Sequence, residues 1–137
     1  MAGTKTLRYE NKNMDLKELG QNISQFLESE RFGVQSKMIP NGFLIQAQKG
    51  WILSNIIDAE RALTILLEGD PNNFTIKIGI GKFIKNLVVM AAEAILLSSL
   101  FLFVDVPEIL WTEHVEKGII KKIEAMVPRF HFYQDDL

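Results

Sequence analysis

The sequence has no cysteine. Disulfides, thiolate zinc sites and thiol nucleophiles are excluded together, and the fold must be held by its core alone. Arginine is scarce, limited to Arg8, Arg31, Arg61 and Arg129, and the formal net charge is −2. General nucleic-acid binding, which draws on an excess of Lys and Arg, is therefore disfavoured. Histidine occurs only as His114 and His131, and the residue four after His114 is Gly118, so the two-histidine zinc spacing of a metal helix is absent. The residues predict no cofactor. No serine sits in a nucleophile-elbow sequence. The opening stretch MAGTKTLRYENKN has no apolar signal core, which points to a cytoplasmic protein. Internal repeats and low-complexity runs are lacking as well.

What is present fits one α+β domain over residues 1–127 with a tail at 128–137. A short strand is expected at 7–11. In MDLKELGQNISQFLESE, Leu16, Leu19, Ile23, Phe26 and Leu27 recur at helical spacing, and Asp15 and Glu18 stand as in a capping box. Gly20 falls off that stripe. Two hairpins follow. The first turns at Pro40-Asn41-Gly42 and the second at Asp70-Pro71-Asn72-Asn73. Phe74, Ile76, Ile78 and Ile80 alternate with Thr75, Lys77 and Gly79, as in a strand with one buried face. The opposite face of the sheet would carry Gln35, Lys37, Leu44, Gln46, Gln48, Thr64, Leu66, Thr75 and Lys77, and is read as solvated.

From Lys82 the hydrophobic period changes to that of a helix, expected to run to Val104. Asp105, Pro107 and Glu108 then restart a final amphipathic helix that ends before Pro128. The expected order is β-α-β-β-β-β-α-α: an antiparallel sheet of about five strands with the helices packed on one face. Residues 7–81 form the sheet and first helix, and 82–127 the apolar and amphipathic helices. This order, together with the Ile76-Lys77-Ile78-Gly79-Ile80-Gly81-Lys82 stretch before an apolar segment, resembles small archaeal and bacterial β-α-β4-α proteins of the TATA-binding-protein-like or helix-grip architecture. The resemblance implies a curved sheet wrapping a long helix, and it carries over no catalytic residue.

The apolar run 87–104 contains one charge, Glu93. Its 18 residues fall just within the length range of a membrane span. A mid-helix carboxylate opposes insertion by roughly 2.5–3.5 kcal/mol, whereas each Leu, Ile, Phe or Val favours it by roughly 0.3–0.6 kcal/mol. A helix buried on all sides by protein is the favoured alternative. Its far side then needs a second subunit, which predicts a homo-oligomer. Candidate interface residues are Leu96, Leu100 and Phe103 on this helix, Trp51, Ile52, Ile56 and Ile57 in the loop between the hairpins, and Trp111. Gly79-Ile80-Gly81-Lys82 lacks the earlier glycine and the Ser or Thr of a phosphate loop, so it is read as a tight strand-to-helix turn. Lys82 and Lys85 at that point could still meet an anion.

The leading expectation is a non-enzymatic binding or scaffold domain that self-associates through the apolar helix, in one version at a membrane surface. The alternative is a carrier of a small apolar ligand, in a pocket between the sheet and the long helix. A second alternative is a small enzyme with dispersed carboxylates. A closed or cleft-like apolar cavity separates the carrier from the scaffold.

Overall fold

A computed structural model describes residues 4–48, 61–95, 100–101 and 118–127. The chain is α+β, built on a five-stranded antiparallel sheet. Its elements are β1 (Thr4–Glu10), α1 (Leu16–Ser29), β2 (Gly33–Ile39), β3 (Gly42–Gln48), β4 (Arg61–Asp70), β5 (Asn73–Lys82) and a short α2 (Lys121–Ala125). The spatial order is β1-β5-β4-β3-β2. Consecutive hairpins build β2 to β5, and β1 adds on the far edge by pairing with β5, Leu7 opposite Ile76.

β1 and β2 lie at opposite edges and run in the same direction, so the chain must return along the sheet between them. A helix of 14 residues is about 21 Å long and a strand of seven about 24 Å, so one helix suffices. α1 begins where its sequence predicts: the Asp15 carboxylate accepts the backbone N–H of Lys17 at 2.9 Å and of Glu18 at 3.3 Å. It ends in a Schellman turn, with Arg31 at φ 72° and the N–H of Phe32 donating to the carbonyl of Leu27 at 3.0 Å.

The β1–α1 corner is held from a distance. Asn72, in the β4–β5 turn, accepts the N–H of Asn11 on its carbonyl and that of Asn13 on its side chain, both at 2.8 Å. The carbonyl of Pro71 accepts the N–H of Met14 at 3.1 Å. Asn11 and Asn13 both have positive φ, which Asn tolerates better than most residues. The β2–β3 turn places Pro40 and then Asn41 at φ 62°, the sequence pattern of a type II turn.

One face of the sheet is apolar across its centre, with Lys5 and Ser36 on the two edge strands. Cross-strand rows such as Phe43–Leu67–Ile76 and Ile45–Ile65–Ile78 run across it. Leu19, Ile23 and Leu27 of α1 share this core with Ile119, Ile120, Ile123 and Val127. Tyr9 leans on Phe74 with ring centroids 5.4 Å apart. Gly20, which the helical spacing placed off the stripe, is in fact buried, and a Cβ there would collide with the ring of Phe43. Bulk at position 43 has displaced it at position 20.

The other face departs from expectation. Leu44, Gln46, Thr64 and Leu66 are buried rather than solvated. They are covered by the stretch after β5, which contributes Leu87, Ile95 and Leu100 to a second core with Ile39, Leu44 and Leu66. The helix expected from Lys82 to Val104 is not formed over the described part of that stretch. Residues 83–95 instead make non-helical turns, a single helical turn closed by the Met90 N–H on the Asn86 carbonyl, and a 3₁₀ turn at Ala92–Ala94. Among the described residues no helix is long and apolar enough to cross a membrane. The tail beyond Val127 and the loop 49–60 lie outside the described residues.

Gly20→Ala tests the α1–sheet contact. Alanine gains about 1 kcal/mol of helix propensity, but overpacking in a filled core costs about 1–3 kcal/mol. A lowered urea midpoint at constant m is expected, with partial recovery in the double variant Gly20→Ala/Phe43→Leu. A Gly20→Ala protein as stable as the parent would show that helix and sheet are free to separate at this point.

Candidate functional site

The site grows from a polar patch on the second face. Gln46 on β3 and Thr64 on β4 are direct cross-strand neighbours, both at 0 % exposure. A buried amide side chain has two donors and two lone pairs to satisfy, and Gln46 satisfies all four. Its Nε2 donates to the Thr64 hydroxyl oxygen at 3.1 Å and to the carbonyl of Lys82 at 2.7 Å. Its Oε1 accepts the backbone N–H of Ile84 at 2.9 Å and Nε2 of Gln35 at 3.3 Å. Gln35 also donates to the carbonyl of Ile84 at 2.6 Å, and the Thr64 hydroxyl donates to the carbonyl of Ala62 at 3.1 Å. Two glutamines thus hold both backbone groups of Ile84.

This anchoring explains why the chain is not helical here. The carbonyl of Lys82 accepts from Gln46 and that of Ile84 from Gln35, which holds this backbone on the sheet in a non-helical course. Further points tie down the rest of the stretch. Nζ of Lys37 donates to the carbonyl of Val88 at 3.1 Å. Nζ of Lys77 sits 4.9 Å from the ring centroid of Phe101, within cation–π range. The N–H of Lys82 donates to the carbonyl of Leu100 at 3.3 Å.

Gly81 belongs to the same closure. It is still in β5, opposite Ala62, so Gly79-Ile80-Gly81-Lys82 is strand rather than the tight turn expected. A Cβ at Gly81 would strike the Leu100 carbonyl oxygen. The glycine is what lets the returning chain lie directly on the strand.

Between the outgoing limb, Lys82 to Lys85, and the return at Met90, Ala94, Ile95 and Leu100 lies an open cleft of about 310 Å³. Ile95 and Leu100 are buried, Ile84 and Met90 are half-buried, and Lys82 and Lys85 are exposed. The cleft is therefore graded from an apolar floor to a cationic rim. No carboxylate is among its described lining residues, and no metal-binding group of His, Cys, Asp or Glu occurs among the described residues.

Of the interface residues predicted from sequence, Trp51, Ile52, Ile56, Ile57, Leu96, Phe103 and Trp111 lie outside the described residues. Leu100 is described and is 3 % exposed, inside the chain's own second core rather than on an outer surface. The large apolar residues that do face outward on this stretch are Val88 and Val89, at 63 % and 82 % exposure. Sequence reasoning missed Gln35, Gln46 and Thr64 as site builders. The signal was their company: Leu44 and Leu66 on the same face needed a cover. No protein-family model matches this chain, and no curated protein or solved structure matches it either.

Gln46→Leu removes the anchor while roughly keeping its volume. It strands the Ile84 N–H, the Lys82 carbonyl and part of Gln35, and each buried group left unpaired costs about 1–3 kcal/mol. Hydrogen exchange is the direct readout. The Ile84 amide should exchange far faster, while Ile65 and Ile78 change only with global stability. Unchanged protection at Ile84 would mean that the stretch is held by its apolar contacts alone.

Proposed function

We propose that this chain is a non-enzymatic binding domain that takes a small apolar ligand in the cleft between the end of β5 and the returning limb of the stretch that follows it. The observation that carries the reading is the cleft itself. Its volume of about 310 Å³ lies at the lower end for small-molecule sites, roughly 300–1,000 Å³. Its floor is Ile95 and Leu100 and its walls are Phe83, Ile84 and Met90. One wall is fixed by the Gln46 network, so the site is pre-formed on that side and loses little freedom on binding. On this reading α1 and α2 keep to one side of the sheet, and the ligand sits within the stretch that covers the other. The architecture is then a variant of the helix-grip scheme in which an irregular stretch replaces the long helix.

Self-association is the second reading, favoured by Val88 and Val89 at the outer corner of the same stretch. It needs no cavity.

The test is a nuclear magnetic resonance titration with octan-1-ol. Saturable one-to-one binding is expected, with shifts concentrated at Met90 and Ile95. Ala94→Trp, at an exposed lining position, should block it by filling the cleft. Absence of saturable binding would overturn the carrier reading. Sedimentation of the parent and of Val88→Glu/Val89→Glu decides the second reading: a dimer that the variant splits supports it, and a monomeric parent removes it.

A further inference from the structure

Resting on the cleft reading, we infer that the ligand is an amphiphile with an anionic head group, its chain on the Ile95–Leu100 floor and its head at Lys82 and Lys85. Three features of the cleft converge on this. Its described ionisable lining residues are both cations, and none is acidic. Glu93, the nearest acidic residue in sequence, is exposed and does not line the cleft.

The second feature is the gradient of exposure. Floor residues are buried and the two lysines are exposed, so a ligand that buries its chain leaves its head at the rim in water. An anionic head placed there keeps its hydration and gains a counter-charge. A bare hydrocarbon would gain nothing from the lysines, and an amine would be repelled.

The third feature is placement. The backbone of Lys82 is held at both ends, its N–H on Leu100 and its carbonyl on Gln46. Lys85 follows directly on Ile84, whose N–H and carbonyl are both anchored. The two Cα positions are therefore fixed relative to the floor, and only the flexible stems need to find the head. Lysine offers a compact point charge rather than the planar fork of arginine, which suits a singly charged head at the end of a chain.

The experiment compares octanoate, octan-1-ol and octylamine by calorimetric titration at low salt. Octanoate should bind more tightly than the alcohol, by roughly two- to fivefold per lysine, the range of an exposed ion pair. Octylamine should bind most weakly. The octanoate-to-octanol ratio should fall towards one in Lys82→Gln/Lys85→Gln and, for the parent, in 0.5 M salt. Lengthening the chain by a methylene should tighten binding about fourfold until the floor is filled.

Equal affinity for octanoate and octanol, or a ratio insensitive to both salt and the lysine changes, would overturn the head-group assignment and leave the cleft reading standing. Octanoate binding that survives Ala94→Trp places the site elsewhere and also overturns it. If none of the three ligands binds, the cleft reading and this inference fall together. The salt series needs no variant, so the inference stays testable should Lys82→Gln/Lys85→Gln fold poorly.

Discussion

The cover over the sheet's second face depends on one fully buried side chain having all its hydrogen bonds made by protein. Gln46 is buried among apolar neighbours, where an unpaired amide would be costly. It is tolerable because its partners come from three places: the adjacent strand through Thr64, the edge strand through Gln35, and the covering stretch through Lys82 and Ile84. The arrangement is reciprocal. The stretch supplies what Gln46 needs, and Gln46 holds the backbone of the stretch against the sheet. A half-made network of this kind would be worse than an apolar contact, so the buried face and its cover are energetically coupled.

That coupling gives the sheet two differently built sides. On the α1 side the contact is apolar and depends on shape, as the fit of Gly20 under Phe43 shows. On the other side Leu44 and Leu66 provide apolar area, while direction and register come from polar groups and from the close approach at Gly81. Directional bonds fix the outgoing limb of the cover. The turn carrying Val88 and Val89 projects outwards, with the Val88 carbonyl held by the flexible stem of Lys37. The cleft lies between these limbs, which suits a site that needs one rigid wall and one that can yield.

Much of the sheet was legible from local pattern. The alternation at Phe74 to Ile80, the Pro-Asn turns and the Leu-Ile stripe with its Asp15 cap each state a local geometry that the chain adopts. The cleft was not legible. Residues 83–95 have the apolar content of a helix, and nothing within the segment says that Gln46 and Gln35, 38 and 49 residues from Ile84, will take its backbone. Leu100 was legible as a residue that must be covered, but not which side would cover it. The glycines misled for the same reason, since their purpose lies in distant atoms: the ring of Phe43 and the carbonyl of Leu100.

The sequence by itself determined the antiparallel hairpins, the first helix and its start, and the exclusion of thiol chemistry, because each rests on residues close together in the chain. Only the tertiary structure decided that β1 pairs with β5, that the polar-looking face is interior, and that the apolar stretch after Lys82 lies across the sheet in turns. Those outcomes depend on hydrogen bonds and steric contacts between residues far apart in sequence. When such bonds claim a segment's backbone, they override its local preference for a helix.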